Sequence, residues 1–231
     1  MRGNDTLNRN SLTKWQAAYI ESAYRELDSG VTGQRLAALG VDVKGKSILD
    51  VGCGPGNFLV AASEHRPQRV IGLEPDLQFL KAAQQEINRR TEEGPALIAG
   101  TALHLPFRDQ TFDLLTCFLV LPHVEDDNAA LKEFARVLKV GGTLAISGHG
   151  AGFPLRYASR LRLKPLLMYV WTLVYVLTGR KIVQNTLQRH RIISANLTRL
   201  GFAVEPVVFA RKRLGFVETF RLKAVKQIHQ T

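Results

Sequence analysis

One carboxylate and three glycines in the stretch Ile48-Leu-Asp-Val-Gly-Cys-Gly-Pro-Gly-Asn-Phe58 are the residues best placed to bind a ligand: Asp50, then Gly52, Gly54 and Gly56 at alternate positions. Glycines so spaced let the backbone take positive φ and admit a ligand where a Cβ would collide. A helix following the turn would aim free N–H groups at it, where an anionic group is welcome. The dinucleotide fingerprint G-x-G-x-x-G places a pyrophosphate at such a point. Here the third glycine comes one residue early and Asp50 precedes the turn. A carboxylate sits poorly beside a pyrophosphate and well beside an ammonium group. The implied ligand therefore carries a cationic amine and a nucleoside, and fits better than NAD. Roughly 20 positions beyond the turn, Glu74 ends a second apolar run, where an acid can accept from both ribose hydroxyls.

The elements that must position these residues alternate. Apolar runs at Ser47–Val51, Arg69–Leu73, Ala96–Ala99, Phe112–Leu121 and Thr143–Ser147 read as strands. Helical periodicity over Pro55–Glu64, from Asp76 through Ile87, and over Asn128–Leu138 separates them. Such alternation implies right-handed crossovers and a doubly wound, mostly parallel α/β sheet, with ligands beyond the carboxyl ends of its strands. By that rule Asp50, Glu74, Thr101, Phe118 and His149 face one crevice. Residues 11–40 read as two helices capped at Ser11 or Thr13, forming an N-terminal helical cap over 1–40. Trp15 and Tyr19 there can pack on the domain or lie across a ligand mouth. Residues 41–150 form the Rossmann-like core, and 185–231 complete its sheet. In that last segment the helix Thr186–Leu200 precedes an antiparallel hairpin of Phe202–Ala210 and Glu218–Lys226, bringing the sheet to seven strands.

The chain has 231 residues and 45% apolar content, which suits one domain with an elaboration. Its net charge of +11 is uneven: residues 150–231 hold 15 Lys or Arg against 2 Asp or Glu, and the remainder 16 against 18. The excess points to an anionic partner for the C-terminal part, whether acidic substrate, membrane face or nucleic acid, or to a solubilising surface. Much of it brackets residues 151–184, where Arg156, Arg160, Arg162 and Lys164 precede the apolar run Pro165–Thr178, with Arg180 and Lys181 after it. That run is too short to span a bilayer. It suits a helical lid, or an interfacial helix peripheral to a membrane. Cys53 and Cys117 lie in apolar segments, as buried thiols of a reducing compartment do, and the N-terminus lacks an apolar signal region, so a cytoplasmic location is expected. No residue is assigned to a metal.

Taken together these motifs resemble the class I S-adenosylmethionine-dependent methyltransferases, most closely the small-molecule branch that includes the quinone-biosynthesis enzymes. Ile48-Leu-Asp-Val-Gly-Cys-Gly-Pro-Gly matches the first family motif and Gly72-Leu-Glu-Pro the second. Ala102-Leu-His-Leu-Pro-Phe-Arg-Asp-Gln-Thr-Phe-Asp113 and Ala135-Arg-Val-Leu-Lys-Val-Gly-Gly-Thr-Leu match the later ones. The resemblance covers about residues 40–150 and returns over 186–226. It implies that Asp50 and the backbone of Gly52 and Gly54 hold the methionine end of the cofactor, and that Glu74 holds the ribose. Thr101 and Ala102 would flank the adenine, and the Phe118 backbone would approach the amino group. The family commonly has Asp where Thr101 stands, and a hydroxyl makes a weaker hydrogen bond than an ionised partner.

The implied reaction is displacement at a sulfonium methyl. An oxygen acceptor of high pKa wants a general base. His149, between Gly148 and Gly150, is the first choice and His123 the second, while a carbon or amine acceptor could need none. Arg156 and Tyr157 could contact an anionic or phenolic acceptor, so a lipophilic small molecule carrying an acid or an aromatic ring is expected. A nucleic-acid methyltransferase is the rival, but the Asn-Pro-Pro-Tyr type of motif is absent after the fourth strand, where Phe118-Leu-Val-Leu-Pro stands. Cys117 without a companion Pro-Cys motif reads as core. A non-catalytic cofactor-binding subunit is the third reading. Oligomeric state is not legible.

Overall fold

The computed structural model describes residues 12–38, 40–91, 94–149, 190–206, 208–213 and 216–227, with four positions between 170 and 177. Its contacts divide into two compact units, residues 1–101 and 102–231.

In the first unit, α1 (Lys14–Asp28) starts at a capping box. Thr13 accepts from the Gln16 N–H, and Gln16 reaches back to the Thr13 N–H. Its Ile20, Ala23 and Leu27 recur at helical spacing and are buried. Ile20 packs with Phe79 and Ala82, beside Leu12 and Tyr24. After Gly30, with φ +74°, comes the short α2 (Val31–Ala37). The strand β1 (Ser47–Val51) is buried at every position, as a strand covered on both faces must be. It pairs in parallel with β2 (Arg69–Glu74), which pairs in parallel with β3 (Ala96–Ala99), giving the order β3-β2-β1. The helix α3 spans Asn57–Ser63, shorter than its sequence pattern suggests, because Gly56 still holds φ +81° as the N-cap. In α4 (Leu77–Arg90), Asp76 caps the first turn by accepting from the N–H groups of Gln78 and Phe79.

In the second unit, β4 runs Phe112–Phe118 and stops before the expected Leu121. Leu119 takes φ +62°, which no strand accommodates, and a 3-10 turn follows at Leu121–His123. The helix α5 (Asp127–Val137), capped by Asp126, leads directly into β5 (Leu138–His149). β5 lies parallel to β4, with Leu114 opposite Thr143 and Phe118 opposite Ser147. Its other side pairs antiparallel with β8 (Phe216–Lys226), from Thr143 opposite Val225 to His149 opposite Thr219. The expected C-terminal hairpin forms, but its first arm is two pieces, β6 (Phe202–Val204) and β7 (Val208–Arg213), both on β8. Pro206 between them has no N–H to donate to a ladder. The helix α6 (His190–Arg199) precedes β6.

Two polar devices hold the second unit. Glu133 of α5 accepts from the Leu105 N–H at 2.8 Å, while Arg136 donates to the Leu105 and Phe107 carbonyls and to Asp109. Together they pin the loop after Ala102, the segment matched to the adenine-side motif. Lys226 donates its Nζ to the carbonyls of Ala135 and Leu138 at 2.7 and 2.8 Å, satisfying acceptors at the end of α5. Burial pushes the Lys226 amine below its usual range.

Candidate cofactor site

The glycine turn is held mainly by the end of β2. Gly52 and Cys53 both donate to the Leu73 carbonyl, at 2.7 and 3.1 Å, and Gly56 donates to the Cys53 carbonyl at 3.1 Å. The Gly54 N–H donates to Oε2 of Glu74 at 3.0 Å, and Oε1 of the same carboxylate accepts from the Asp76 N–H at 3.1 Å. With Pro55 lacking a donor, these five residues offer a pyrophosphate no free N–H. Within the turn itself the backbone donors are thus already committed, in keeping with the misfit in spacing.

Two carboxylates are buried beside this turn. Asp50, 3% exposed, lies opposite Gly72 in the β1–β2 pairing, and Glu74, 8% exposed, ends β2. Burial raises the Glu74 carboxyl above the usual range, against the lowering effect of its two N–H donors. Each oxygen of Glu74 has accepted one N–H and keeps a second lone pair for a hydroxyl donor.

The three glycines take φ of +72°, +53° and +81°, and the space around two of them differs. A Cβ on Gly54 would meet only the Tyr19 ring, at 3.6 Å. On Gly56 it would lie 2.9 Å from the Ala83 Cβ of α4. Gly54 thus leaves room for a ligand. Gly56 instead lets α3 close on α4, a packing role that spacing did not separate from binding.

Residues 49–146 match the methyltransferase domain family. Over those residues the chain carries a methyltransferase domain. A demethylmenaquinone methyltransferase of Lactiplantibacillus plantarum is 36% identical over 137 residues, covering 58% of this chain and 55% of that one. Other demethylmenaquinone methyltransferases, of Thermobifida fusca and Roseiflexus castenholzii, are 38% and 32% identical over 102 and 145 residues. The chain spans about half the length of the curated relatives it matches. Among solved structures, an S-adenosylmethionine-dependent methyltransferase of Mesorhizobium loti superposes with a TM-score of 0.65 at 22% identity, covering 87% of this chain and 100% of that one. The magnesium protoporphyrin IX methyltransferase of Synechocystis, solved with bound S-adenosylhomocysteine, gives 0.63 at 17% identity, covering 94% of this chain and 90% of that one. The fold is the Rossmann-like α/β fold of these methyltransferases.

Within the methyltransferase domain, the first unit brings together Asp50, the glycine turn and Glu74. Thr101 follows β3 and is exposed, and Ala102 is buried. In the second unit Phe118 closes β4 and His149 closes β5, both half-buried, while His123 is exposed at the end of the 3-10 turn. Arg156 and Tyr157 lie outside the described residues, as does most of the expected lid over 151–184. Cys53 and Cys117 are both buried thiols, and burial pushes Cys53 well up, so neither is a ready nucleophile.

Sequence reasoning missed one feature of the second unit. Leu119 holds a left-handed backbone immediately after Phe118 and donates its N–H to the Ser147 carbonyl at 3.1 Å. A bulky residue at positive φ is strained, and such strain gathers at ligand sites. Nothing in a leucine announces it.

Proposed function

We propose that this chain transfers the sulfonium methyl of S-adenosylmethionine to a small-molecule acceptor that is lipophilic and anionic or aromatic. The observation that carries the cofactor half of this reading is Glu74. Its carboxylate is buried and fixed by two backbone donors, Gly54 and Asp76, with lone pairs left for paired hydroxyls. Asp50 supplies a second buried negative charge for an ammonium group, and the open side of Gly54 gives the ligand its approach.

Bound cofactor supplies an electrophilic methyl group, and the protein supplies alignment and electrostatics. Asp50 with the Gly52 and Gly54 backbone would hold the methionine end, Glu74 the ribose, Thr101 and Ala102 the adenine, and the Phe118 backbone the amino group. Pre-set hydrogen bonds mean that Glu74 needs no rearrangement to receive the ribose, so little binding energy is lost in ordering it. At the end of β5, His149 would take the proton from an acceptor hydroxyl, with His123 the alternative base.

The acceptor class rests on two supports. The Lactiplantibacillus relative is named for a demethylated quinone. In the 151–184 segment the helical positions 170, 173 and 177 carry exposed Val170, Leu173 and Leu177, an i, i+3, i+7 apolar series between basic flanks. That series favours a lipophilic acceptor delivered at a membrane surface, with Arg156 and Tyr157 meeting its polar end. No described helix is long and apolar enough to cross a membrane.

Two measurements test the reading. Calorimetry with S-adenosylmethionine and S-adenosylhomocysteine gives heat for both, and silence with both removes the cofactor assignment. A turnover screen responds to phenolic and acidic lipophiles, demethylated quinols included. A response to neutral sugars with none to lipophiles removes the acceptor class.

A further inference from the structure

The first turn of α1 is joined to the glycine turn by a continuous chain of polar contacts. Oε1 of Gln16 accepts from the Thr13 N–H at 2.9 Å, and its Nε2 donates to Oδ2 of Asp76 at 2.8 Å. Asp76 caps α4 through its other oxygen, and its own N–H donates to Glu74, which accepts from Gly54 through its second oxygen. The sequence of contacts is thus Thr13, Gln16, Asp76, Glu74, Gly54.

Aromatic rings run alongside. Trp15 and Tyr19 stack at 5.6 Å, and both pack on Phe79, at 5.9 and 5.5 Å. The Tyr19 ring is the nearest group to the open side of Gly54, and burial with the Glu74 charge keeps its hydroxyl above its usual pKa, hence neutral. Trp15 is nevertheless 63% exposed and Tyr19 44%.

The rest of α1 is anchored independently. Ile20, Ala23 and Leu27 are buried, Tyr24 donates its hydroxyl to the Ala82 carbonyl at 2.7 Å, and Arg90 pairs with Asp28. Gln16 gives the first turn, which carries Trp15, its polar tie to α4, and Tyr19 sits one turn on, stacked against Trp15.

We propose that Gln16 is a positioning residue of this site. Its bond to Asp76 holds the first turn of α1, and with it Tyr19, over Gly54, so that retention of the nucleoside ligand depends on an amide that does not touch it. The proposal rests on the reading of Gly54 and Glu74 as the cofactor site. The aromatic surface left open beside two buried carboxylates is the surface a bound adenosyl group would cover. The hydrogen bond that sets its position is linked through Asp76 to the carboxylate that would grip the ribose.

The variant Gln16→Glu isolates the tie. A carboxylate at this position still accepts from the Thr13 N–H and suits a helix N-terminus, so the capping box survives. It cannot donate to Asp76, and it faces that residue with like charge. The experiment measures S-adenosylhomocysteine dissociation by stopped flow, and hydrogen exchange over residues 14–28 with and without that ligand. The wild type binds, and the ligand slows exchange in the first turn of α1. Gln16→Glu raises the dissociation rate about tenfold, the loss of one charge-assisted hydrogen bond, and abolishes the ligand-dependent protection. Adding Asp76→Asn restores a donor–acceptor pair while keeping the α4 cap, and returns the rate to within about threefold of wild type. Equal rates for wild type and Gln16→Glu, or no recovery in the double variant, overturn the proposal alone. Failure of the wild type to bind overturns the cofactor reading with it.

Discussion

The ends of β1 and β2 and the ends of β4 and β5 both carry candidate site residues, and they are built in different ways. At the first pair the carboxylates are buried. Two backbone donors fix one carboxylate, another lies in the sheet interior, and the turn bonds to the end of β2 and once to itself. At the second pair the candidates are histidines, one half-buried and one exposed, beside a strained leucine. A pre-set polar ledge suits a ligand that never varies. A half-open rim suits an acceptor that differs from one methyltransferase to the next.

The largest expected effect tests whether the second region carries chemistry. His149→Asn lowers kcat roughly 10²-fold or more on a phenolic acceptor, while His123→Asn leaves it within about threefold. Equal losses, read from initial rates at saturating cofactor, would erase the distinction between the two histidines. Next is the ledge itself: Glu74→Ala orphans the Gly54 and Asp76 donors and removes the ribose acceptor, weakening S-adenosylhomocysteine about 100-fold in calorimetry.

The glycines sharpen the contrast within the turn. Gly56→Ala forces a Cβ to 2.9 Å from Ala83 at φ +81°, costing about 2–4 kcal/mol in urea unfolding. Gly54→Ala meets only the Tyr19 ring, so it costs about 1 kcal/mol of stability and appears chiefly as weaker ligand binding. The reverse ranking would exchange their roles.

The smallest effect is on pH. Burial raises the folded-state pKa of Glu74, so its contribution to stability is fully present below the unfolded value and is lost as pH rises through the folded one. Glu74→Gln has no such titration. The difference in Tm between variant and wild type therefore moves in the variant's favour from acidic to neutral pH, whatever its sign at the start.

Legibility in the sequence follows the same division. The strands β1, β2 and β3 are readable because doubly covered parallel strands are short apolar runs, and Asp50, Glu74 and the glycines fall where turn chemistry demands them. Their hydrogen bonds are not readable. Spacing marks Glu74 as a candidate for a ribose, but that Gly54 and Asp76 already hold it is a tertiary property no spacing carries. Gln16 is another case: as a capping-box residue it is local and legible, while its bond to a residue sixty positions away is tertiary. Pro206 could have warned that Phe202–Ala210 is two strands. The apolar residues around it hid the break, because hydrophobic pattern does not register a missing donor.

The place of β8 carries a consequence for biogenesis. It follows in sequence every strand it touches, yet it lies between β5 on one side and β6 and β7 on the other. On the ribosome, β5 therefore emerges with an uncovered rim of backbone donors and acceptors, and waits through the synthesis of the whole basic segment before its neighbour exists. Such a rim recruits other strands. The nascent chain is open to misassembly in that interval, until β8 pairs and Lys226 reaches the end of α5.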